Sequence, residues 1–356
     1  SNLESNTSNS CIFSLNSGEE KIDHIGSGFS NTYQKGQKIF ASDGATNEYF
    51  GSGHANRTIA ITGDGSVVVS GAKYDNGDIG AVYVFIKDAN GQWNQVQKIT
   101  ASDATAGDLF GAGVDISSDG NYIVVGASLA HSTDGNNTSN VGKAYIFKRT
   151  TGTNLWSEQQ ILSSSQEDED DHFGRRVSIS SDGTYVVVAA QNDDEDVNNG
   201  GGVYVFKRTG NTWSTGNRLN ITGVEANDHI ASTVDISNDG NYIAIGVMYD
   251  DVVHANNDNA GSVYIFNRTG DNTWSQQQKI NNPDVSGNAN YFGGENHSVS
   301  LSSDGTYLIV GAYGRASNNG AVFFFKRTGS SWAIMGGSGL GGASSGLYTN
   351  PTGNTG

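Results

Sequence analysis

The chain has 356 residues, with 37 Asp and Glu against 20 Lys and Arg, and its formal net charge is −17. This acidic balance argues against a nucleic-acid partner and against attraction to anionic membranes, because both select basic surfaces. No run of about 18 apolar residues is present, so we expect no membrane insertion, and the single cysteine, Cys11, excludes a disulfide within the chain.

The sequence divides into three parts. Residues 1–32 are an N-terminal extension, residues 33–335 carry an internal repeat, and residues 336–356 form a Gly/Ser-rich tail typical of a linker. The repeat occurs five times, at about 41–100, 101–162, 163–220, 221–280 and 281–335. Because the chain begins at Ser1 and not at Met, we expect that a leader was removed or the chain trimmed.

Each repeat predicts four short β-strands. In the second repeat, Val114–Ile116 lie in the first strand, Asp119-Gly120 forms a turn, Tyr122–Val125 form the second strand, Ala144–Phe147 the third, and Trp156 opens the fourth. Asp-Gly pairs favour tight hairpins because Gly accepts positive φ, and no long stretch has a helical period. The sequence therefore predicts an all-β fold, a β-propeller of four-stranded antiparallel blades.

The number of blades depends on a surplus fourth strand at the N-terminus. Tyr33–Phe40 repeats the pattern of Trp93–Ile99, yet it precedes the first repeat. In the simplest interpretation it completes the last blade and closes a five-bladed ring. Two alternatives stay open: a sixth, partial blade built with Cys11–Ile25 and the tail, or pairing of the strand with a blade of a neighbouring molecule.

The repeats resemble the FG-GAP family, whose repeats also occur in the propeller of integrin α-chains. The matching pairs are Phe50-Gly51, Phe110-Gly111, Phe173-Gly174 and Phe292-Gly293, followed later in the repeat by Gly71-Ala72, Gly126-Ala127 and Gly311-Ala312. The resemblance extends over about residues 37–332, although the Pro of the family pattern is absent and the fourth repeat has Ile230-Ala231. It implies a secreted or cell-surface propeller used for adhesion or protein binding.

Some repeats of that family bind Ca²⁺ through several carboxylates in the turn between the first two strands, since Ca²⁺ needs clustered oxygen ligands. In this sequence the closing ligand position is always apolar: Val67, Ile123, Val186, Ile243 and Leu308. We therefore expect plain hairpin turns at these five places.

The repeats differ most in the loops between blades and in the loops between the second and third strands. Because strands alternate in direction, both sets open on one face, which we call the acidic face, and they hold more than half of the carboxylates. A carboxylate also recurs two residues before the FG phenylalanine, where it either accepts backbone N–H bonds or helps to hold a cation. The candidate Ca²⁺ ligands on this face are Asp168, Asp170, Asp171, Asp193, Asp194, Asp196, Asp228, Asp250 and Asp251. The alternative is a solvated acidic rim.

Arg175 and Arg176 stand where the first two repeats have small residues. They either neutralise the acidic run Glu167–Asp171 or face a ligand. The five Trp recur in register, which favours a role in packing over one as sugar-binding platforms.

No constellation of acid, base and nucleophile stands out in the repeats. We therefore predict that the chain is not an enzyme but an extracellular binding or structural propeller for adhesion, protein contact or assembly, with another protein or identical subunits as partner. A lectin-like propeller that binds glycans and a glycan-degrading enzyme that uses two carboxylates are the alternatives. Ca²⁺ is the only cofactor that the sequence suggests.

Candidate N-glycosylation sites are Asn6, Asn56, Asn136, Asn137, Asn220, Asn267 and Asn296.

Overall fold

A computed structural model describes residues 12–16, 19–23, 36–52, 57–132, 138–195, 200–251, 259–283, 291–294, 297–314, 320–335 and 347–348. Apart from one helical turn, α1 (Asp75–Asp78), the regular elements in these ranges are β-strands, which confirms the all-β class. No helix in the described ranges is long and apolar enough to cross a membrane. The N-terminal extension contains a separate hairpin of β1 (Ile12–Asn16) and β2 (Glu19–Asp23).

Five antiparallel sheets follow, one for each sequence repeat, and their strands lie in sequence order across each sheet. Blade 1 consists of β3 (Ile59–Ile61), β4 (Val67–Ala72), β5 (Ala81–Lys87) and β6 (Trp93–Ile99). Blade 2 consists of β7 (Phe110–Ile116), β8 (Tyr122–Ala127), β9 (Lys143–Arg149) and β10 (Trp156–Leu162). Blade 3 has β11 (Phe173–Ile179), β12 (Tyr185–Ala190), β13 (Gly202–Thr209) and a fourth strand in two pieces, β14 (Thr212–Trp213) and β15 (Asn217–Arg218).

The last two blades follow the same plan. Blade 4 consists of β16 (Ile230–Ile236), β17 (Tyr242–Val247), β18 (Ser262–Gly270) and β19 (Thr273–Asn281). Blade 5 consists of β20 (Val299–Leu301), β21 (Tyr307–Ala312), β22 (Ala321–Thr328) and β23 (Ser331–Ile334). A further short strand, β24 (Leu347–Tyr348), also pairs with β22.

The Asp-Gly turn between the first two strands of a blade is held by its own side chains. In blade 5, Ser302 Oγ donates to Asp304 Oδ1 at 2.8 Å, and the N–H of Thr306 donates to the same oxygen at 2.9 Å. Gly305 follows with a φ of +60°, which favours glycine. Hydrogen bonds from Thr306 and Ser302 lower the pKa of Asp304 to about 2, so the carboxylate is charged and serves as part of the turn.

The hydrophobic core lies between successive blades. Tyr122, Val124 and Ile146 of blade 2 share one buried cluster with Phe173 and Val177 of blade 3. Equivalent clusters join blades 1 and 2, blades 3 and 4, and blades 4 and 5. The continuous apolar character of the inner strands follows from this arrangement, because each inner strand contacts a blade on either side.

The two glycines of the repeat pattern meet at the blade junctions. A Cβ added at Gly126, near the end of β8, would collide with the carbonyl oxygen of Gly174 in blade 3. Gly174 itself has a φ of +86°, so both positions require glycine for different reasons. The junction between blades 3 and 4 differs: Ala189 takes the place of the first glycine and Ala231 that of the second.

Residues 36–40 lie beside blade 1 and do not form the predicted strand. Gln37 exchanges two hydrogen bonds with the backbone of Trp93: its Nε2 donates to the carbonyl at 2.9 Å, and its Oε1 accepts the N–H at 2.6 Å. Gln97 of blade 1 makes the same exchange with Trp156 of blade 2. Gln37 therefore occupies the place of a fourth strand from a preceding blade. Residues 33–35, where the surplus strand begins, lie outside the described residues.

The first and last blades expose the faces that the other blades bury. Ile59 and Ile61 of β3 are 52% and 54% exposed, and Ile309 and Phe324 of blade 5 are 42% and 39% exposed, whereas their counterparts in blade 2 are at most 5% exposed. Closure of a five-bladed ring is not seen among the described residues and stays a prediction, as do the alternatives with a sixth blade or a neighbouring molecule. We call these surfaces the blade 1 end face (Ile59, Ile61) and the blade 5 end face (Tyr307, Ile309, Val322, Phe324).

Candidate functional site

The first strands of the blades bring polar side chains together at the centre of the blade array. Ser178 Oγ lies 3.3 Å from Asp115 Oδ2 and 3.2 Å from Asp235 Oδ1. Arg57, just before β3, pairs with Asp115 Oδ2 through Nη1 at 3.2 Å. A backbone N–H group of the following blade also donates to each of the two carboxylates. We call this set the axial cluster (Arg57, Asp115, Ser178, Asp235).

Burial controls the charges of the axial cluster. Burial raises the pKa of Asp235 to about 6, although the N–H of Leu301 and the charge of Arg57 lower it. Burial also lowers the pKa of the neighbouring His297 to about 4, and Arg57 lowers it further. Every oxygen of Asp115 and Asp235 accepts a hydrogen bond from the protein, so the axial cluster holds the blades together.

Sequence reasoning missed Arg57 and His297. Blades 1 and 5 contain extra residues between the FG pair and the first strand, and these displace both side chains from the repeat alignment. The lengthened segments themselves were a usable signal, since a repeat that departs from its copies at one point often carries a special role there.

The recurring carboxylate before the FG pair serves the backbone. Asp108 Oδ2 accepts the N–H of Thr105 at 2.7 Å, and Asp228 Oδ2 accepts the N–H of Glu225 at 2.7 Å. Asp171 accepts a backbone N–H in the same way. These contacts favour the structural alternative, in which the carboxylate shapes the loop between blades.

Blades 3 and 4 each place a second carboxylate beside the recurring one. Burial, and then the charge of Asp193, raises the pKa of Asp171 to about 7. Burial raises the pKa of Asp228 to about 6, with a further contribution from Asp250. Each blade therefore carries an acidic group that takes up a proton close to neutral pH.

Basic and phenolic groups hold the second carboxylate of each pair. Asp193 accepts hydrogen bonds from Tyr204 Oη at 2.6 Å and from Arg218 Nη2 at 2.9 Å. Asp250 pairs with Lys279 Nζ at 2.7 Å. Blades 1 and 2 contain similar Tyr–Asp–Lys groups. This arrangement recurs from blade to blade, so it stabilises the loops of the acidic face.

The remaining predicted Ca²⁺ ligands are exposed or accept hydrogen bonds from the protein. Asp168 and Asp194 are exposed, Asp170 accepts a hydrogen bond from a side-chain amide at 2.7 Å, and Asp251 accepts a backbone N–H at 2.8 Å. Asp196 lies outside the described residues. Among the residues that the structure describes, no group of three or more His, Cys, Asp or Glu has the geometry of a metal site. Calcium on the acidic face stays a prediction.

Two of the predicted glycosylation sites are described. Asn220 is exposed, whereas Asn267 is half-buried within β18 and lies opposite Tyr242 of β17. The other five lie outside the described residues: Asn6, Asn56, Asn136, Asn137 and Asn296.

The tryptophans of the fourth strands contribute to blade packing. Trp156 and Trp213 are each 3% exposed, and Trp156 Nε1 donates to the carbonyl of Gly120 at 3.0 Å. A groove of about 420 Å³ passes Trp213, but the buried ring offers no face for stacking on a sugar. This observation gives no support to the lectin-like alternative at that groove.

The stacked four-stranded sheets define a β-propeller-like fold. The FG-GAP repeat family matches residues 33–85, 93–147, 156–206 and 274–325, which is more than half of the chain. The chain belongs to the FG-GAP repeat family. The matched segments leave out residues 207–273, although the first three strands of blade 4 lie there in the same order as in the other blades.

A comparison with curated proteins finds no match to this sequence. Among solved structures, the periplasmic gluconolactonase of Pseudomonas aeruginosa is 14% identical, with 88% of this chain and 77% of that chain covered and a TM-score of 0.51. A protein from Lactobacillus plantarum is 14% identical, with 92% and 82% covered and a TM-score of 0.51. Hydrazine synthase of Kuenenia stuttgartiensis is 16% identical with a TM-score of 0.48, and this chain covers 64% of its length. Similarity at these identities shows the fold alone.

The comparison with the gluconolactonase corrects one prediction. The assignment of the chain as a non-enzyme was wrong, because it used the absence of short catalytic motifs within the repeats. A named enzyme shares this fold, and the axial cluster shows that residues of several blades meet only in three dimensions. Short motifs therefore do not separate binding propellers from catalytic ones.

Proposed function

We propose that this chain acts through protein–protein contact outside the cytoplasm, as the propeller unit of a secreted, surface or periplasmic assembly. Its contact surfaces are the blade 1 end face and the blade 5 end face. The observation that carries this proposal is the exposure of apolar side chains at both end faces, at positions that are at most 5% exposed in blade 2.

The blade 5 end face has the character of an interface. Tyr307, Ile309, Val322 and Phe324 are 39–44% exposed and lie on two neighbouring strands. Contiguous apolar patches of this kind mark interaction surfaces in water-soluble proteins. Covering them contributes about 25 cal/mol for each Å² of apolar surface removed from water.

The shape of each end face supports a second copy of this chain as the partner. Gly311 holds the position of Gly126, but the nearest atom to a Cβ there is Ser298 Cβ at 3.3 Å, so no carbonyl of a following blade approaches it among the described residues. At the other end, Gly51 has the positive φ of an FG glycine, +69°, without a preceding blade among the described residues. Both surfaces are therefore suited to another FG-GAP blade, and a second copy of this chain supplies one at each end.

The N-terminal segment supports the same arrangement. On the outer edge of β22, β23 pairs with only the Phe325–Thr328 part. The first half of that edge is paired, among the described residues, by the two-residue β24. Blade 5 also has Gly336 four residues after its Trp, where blade 1 has Gln97. In such a contact, the segment around Gln37 of the second copy would fill the missing fourth-strand position of blade 5. The copies would then join head to tail, which is a heterologous contact.

The test is the oligomeric state of two complementary variants. We expect light scattering after size exclusion to show oligomers of the 356-residue chain that grow with concentration. Ile61→Glu and Ile309→Glu each remove one end face, so each variant alone should be monomeric. An equimolar mixture should form a dimer, because one intact face of each kind remains.

Leu155→Glu is the matched control, since Leu155 is 49% exposed and lies away from both end faces; it should associate like the wild type. A wild-type chain that stays monomeric at every concentration would rule the proposal out. If such a monomer also protected cysteines introduced at positions 61 and 309 from labelling, the two end faces would cover each other within one closed ring.

A further inference from the structure

A tyrosine at the start of the second strand recurs in every blade except blade 1, which has Val67 there. In blade 2 this residue is Tyr122, and its ring lies against blade 3. The ring centre is 4.5 Å from the guanidinium carbon of Arg208 and 6.1 Å from the ring centre of Trp213. A Cβ added at Gly183, in the Asp-Gly turn of blade 3, would lie 2.5 Å from the same ring. The tyrosine of one blade therefore fills a socket made by a glycine, an arginine and a tryptophan of the next.

The same contact joins blades 3 and 4 and blades 4 and 5. Tyr185 of blade 3 lies 5.1 Å from Arg268 and 5.8 Å from Trp274 of blade 4. The group around Tyr242 of blade 4 has distances of 4.2 Å to the arginine and 6.3 Å to the tryptophan of blade 5. Each arginine is held in place because its Nε donates to the glycine carbonyl of its own Asp-Gly turn, at 2.7–2.9 Å. The contact combines aromatic packing with a cation–π interaction.

Blade 5 presents the tyrosine of this contact without the socket. Tyr307 is 44% exposed, and the Nζ of Lys326 in its own blade lies 5.8 Å from its ring centre. Tyr122 has an own-blade lysine at the same distance, Lys148, in addition to the arginine of the next blade. Among the described residues, no arginine or tryptophan of a following blade contacts Tyr307.

Blade 1 presents the socket without a tyrosine. Gly65, Lys87 and Trp93 hold the positions of the glycine, the basic residue and the tryptophan that surround Tyr122. A Cβ added at Gly65 would meet no described atom within 4 Å. Lys87 is exposed, Trp93 is half-buried, and the Nζ of Lys87 lies 5.9 Å from the ring centre of Trp93. We call this set the blade 1 socket (Gly65, Lys87, Trp93).

The N-terminal segment is compatible with a tyrosine in the blade 1 socket. Gln37 exchanges hydrogen bonds with the backbone of Trp93 in the way that Gln160 does with the backbone of Trp213. Trp213 contacts Tyr122 at the same time. The glutamine and the tyrosine of a preceding blade therefore reach one tryptophan together.

We propose that Tyr307 of one copy inserts into the blade 1 socket of the next copy, and that Lys87 sets the strength of this contact. The inference rests on the proposed head-to-tail assembly and names the side chains that fix its register. The other four blades have arginine at the position of Lys87: Arg149, Arg208, Arg268 and Arg327. A guanidinium group stacks on a ring and donates to a carbonyl at once, whereas an ammonium group is a compact point charge. The contact between copies is therefore weaker than the contacts within a chain, so copies separate while each chain stays folded.

The experiment measures the Kd of association of the full chain by analytical ultracentrifugation. Lys87→Arg supplies the arginine of the other blades and should tighten association about 5-fold. Tyr307→Leu keeps an apolar side chain but removes the ring, so it should weaken association. In the Tyr307→Leu background, Lys87→Arg should give no gain, because the arginine has no ring to contact.

Lys148→Arg is the control, since it makes the same change in β9 of blade 2, away from both end faces; it should leave the Kd unchanged. If Ile309→Glu abolishes association but neither Lys87→Arg nor Tyr307→Leu changes the Kd, this contact is wrong and the assembly stands. A wild type that stays monomeric would overturn both. A strict monomer that Lys87→Arg stabilises only when Tyr307 is present would also overturn the proposal, because Tyr307 would then contact blade 1 of its own chain.

Discussion

Two populations of carboxylates in this chain behave in opposite ways. In the hairpin turns, hydrogen bonds from nearby hydroxyl and N–H groups lower the pKa of Asp64 and of Asp304 to about 2. Between the blades, burial raises the pKa of Asp171 to about 7 and those of Asp228 and Asp235 to about 6. The first group stays charged throughout the physiological range, whereas the second exchanges protons within it.

This difference predicts that the protein is more stable at pH 5.5 than at pH 7.5. For Asp171, Asp228 and Asp235 the folded pKa exceeds the unfolded value, so the folded state binds more protons and stability is lost as the pH rises through 6 and 7. Burial lowers the pKa of His297 to about 4 and also lowers the pKa of His172, so these two groups act in the opposite direction, against three carboxyl groups. Calorimetry should show a melting temperature a few degrees higher at pH 5.5.

Asp171→Asn should remove part of this pH dependence of stability, because it should raise the melting temperature at pH 7.5 and not at pH 5.5. Asp304→Asn, in a hairpin turn, is the comparison variant and should leave the pH dependence above pH 5 unchanged, because the pKa of Asp304 is about 2. Calcium would reverse the expectation, because it binds the ionised carboxylates. A melting temperature that rises at pH 7.5 with CaCl₂, and does not rise in Asp171→Asn, would locate the predicted Ca²⁺ site at this pair.

At the scale of the element, the glycines of the repeat pattern lie at the junctions between blades. The glycine of the Gly-Ala pair lacks a side chain because the carbonyl of the next FG glycine lies against it, as at Gly126 and Gly174. The FG glycine has a positive φ, and in the inner junctions the residue before the FG pair does also, for example Leu109 with +58° and His172 with +56°. The junction between blades 3 and 4 is an exception. There Ala189 replaces the glycine of the Gly-Ala pair, and Ala231 replaces the FG glycine.

This geometry predicts different outcomes for one substitution at two equivalent places. Gly126→Ala forces a methyl group into backbone of the next blade, and we expect a loss of about 3 kcal/mol or more in the free energy of unfolding. Gly311→Ala meets only Ser298 Cβ at 3.3 Å and should change stability by less than about 1 kcal/mol. Urea denaturation of both variants measures the difference.

The same pair of variants, Gly126→Ala and Gly311→Ala, also tests what covers the blade 5 end face. If Gly311→Ala is as destabilising as Gly126→Ala in a monomeric sample, a blade of the same chain covers the blade 5 end face. If Gly311→Ala is mild in the monomer and weakens self-association, a blade of a second copy covers it.

For the whole molecule, stability depends on contacts between neighbouring blades. Blades 2, 3 and 4 each contribute to two buried clusters. Blade 1 has only the segment around Ile39 and Phe50 on its outer side, and the blade 5 end face is exposed. Arrays of repeats that contact only their neighbours lose structure from their ends.

Hydrogen exchange on the monomeric chain tests this uneven stability. We expect amides of β21 and β22 in blade 5, and of β3 in blade 1, to exchange faster than the equivalent amides of blades 2 to 4. Raising the concentration until the chain associates should slow exchange at both ends and leave the inner blades unchanged. Uniform protection of all five blades in the monomer would mean that the ring is closed.

Much of this fold was predictable because its signals are local. The Asp-Gly turns, the apolar second strands and the register of the tryptophans all lie within a few residues of each other, and the structure confirms an all-β chain with one four-stranded sheet per repeat. The surplus N-terminal strand was predicted less well, since residues 36–40 use the side chain of Gln37 and not a β-ladder to join blade 1. Side-chain bonds of this kind leave no periodic pattern in a sequence.

The candidate sites were predictable only in part. Charge counting located the carboxylates of the acidic face, but their pairing with Arg218 and Lys279 depends on strands far apart in the chain. Asp115 and Asp235 belong to different repeats, and only the structure brings both to Ser178 at the axis. Arg57 gave no signal in its own repeat, because its partner Asp115 belongs to another blade.

The sequence by itself determined the repeat, the four strands of each blade and the charge of the acidic face, because these follow from turn chemistry and short-range hydrophobic patterns. Only the tertiary structure decided which glycines meet at the junctions, which charges gather at the axis, and which two faces lack a neighbour. Those properties depend on the packing of one blade against the next, and residues some 60 positions apart in sequence become neighbours only through that packing.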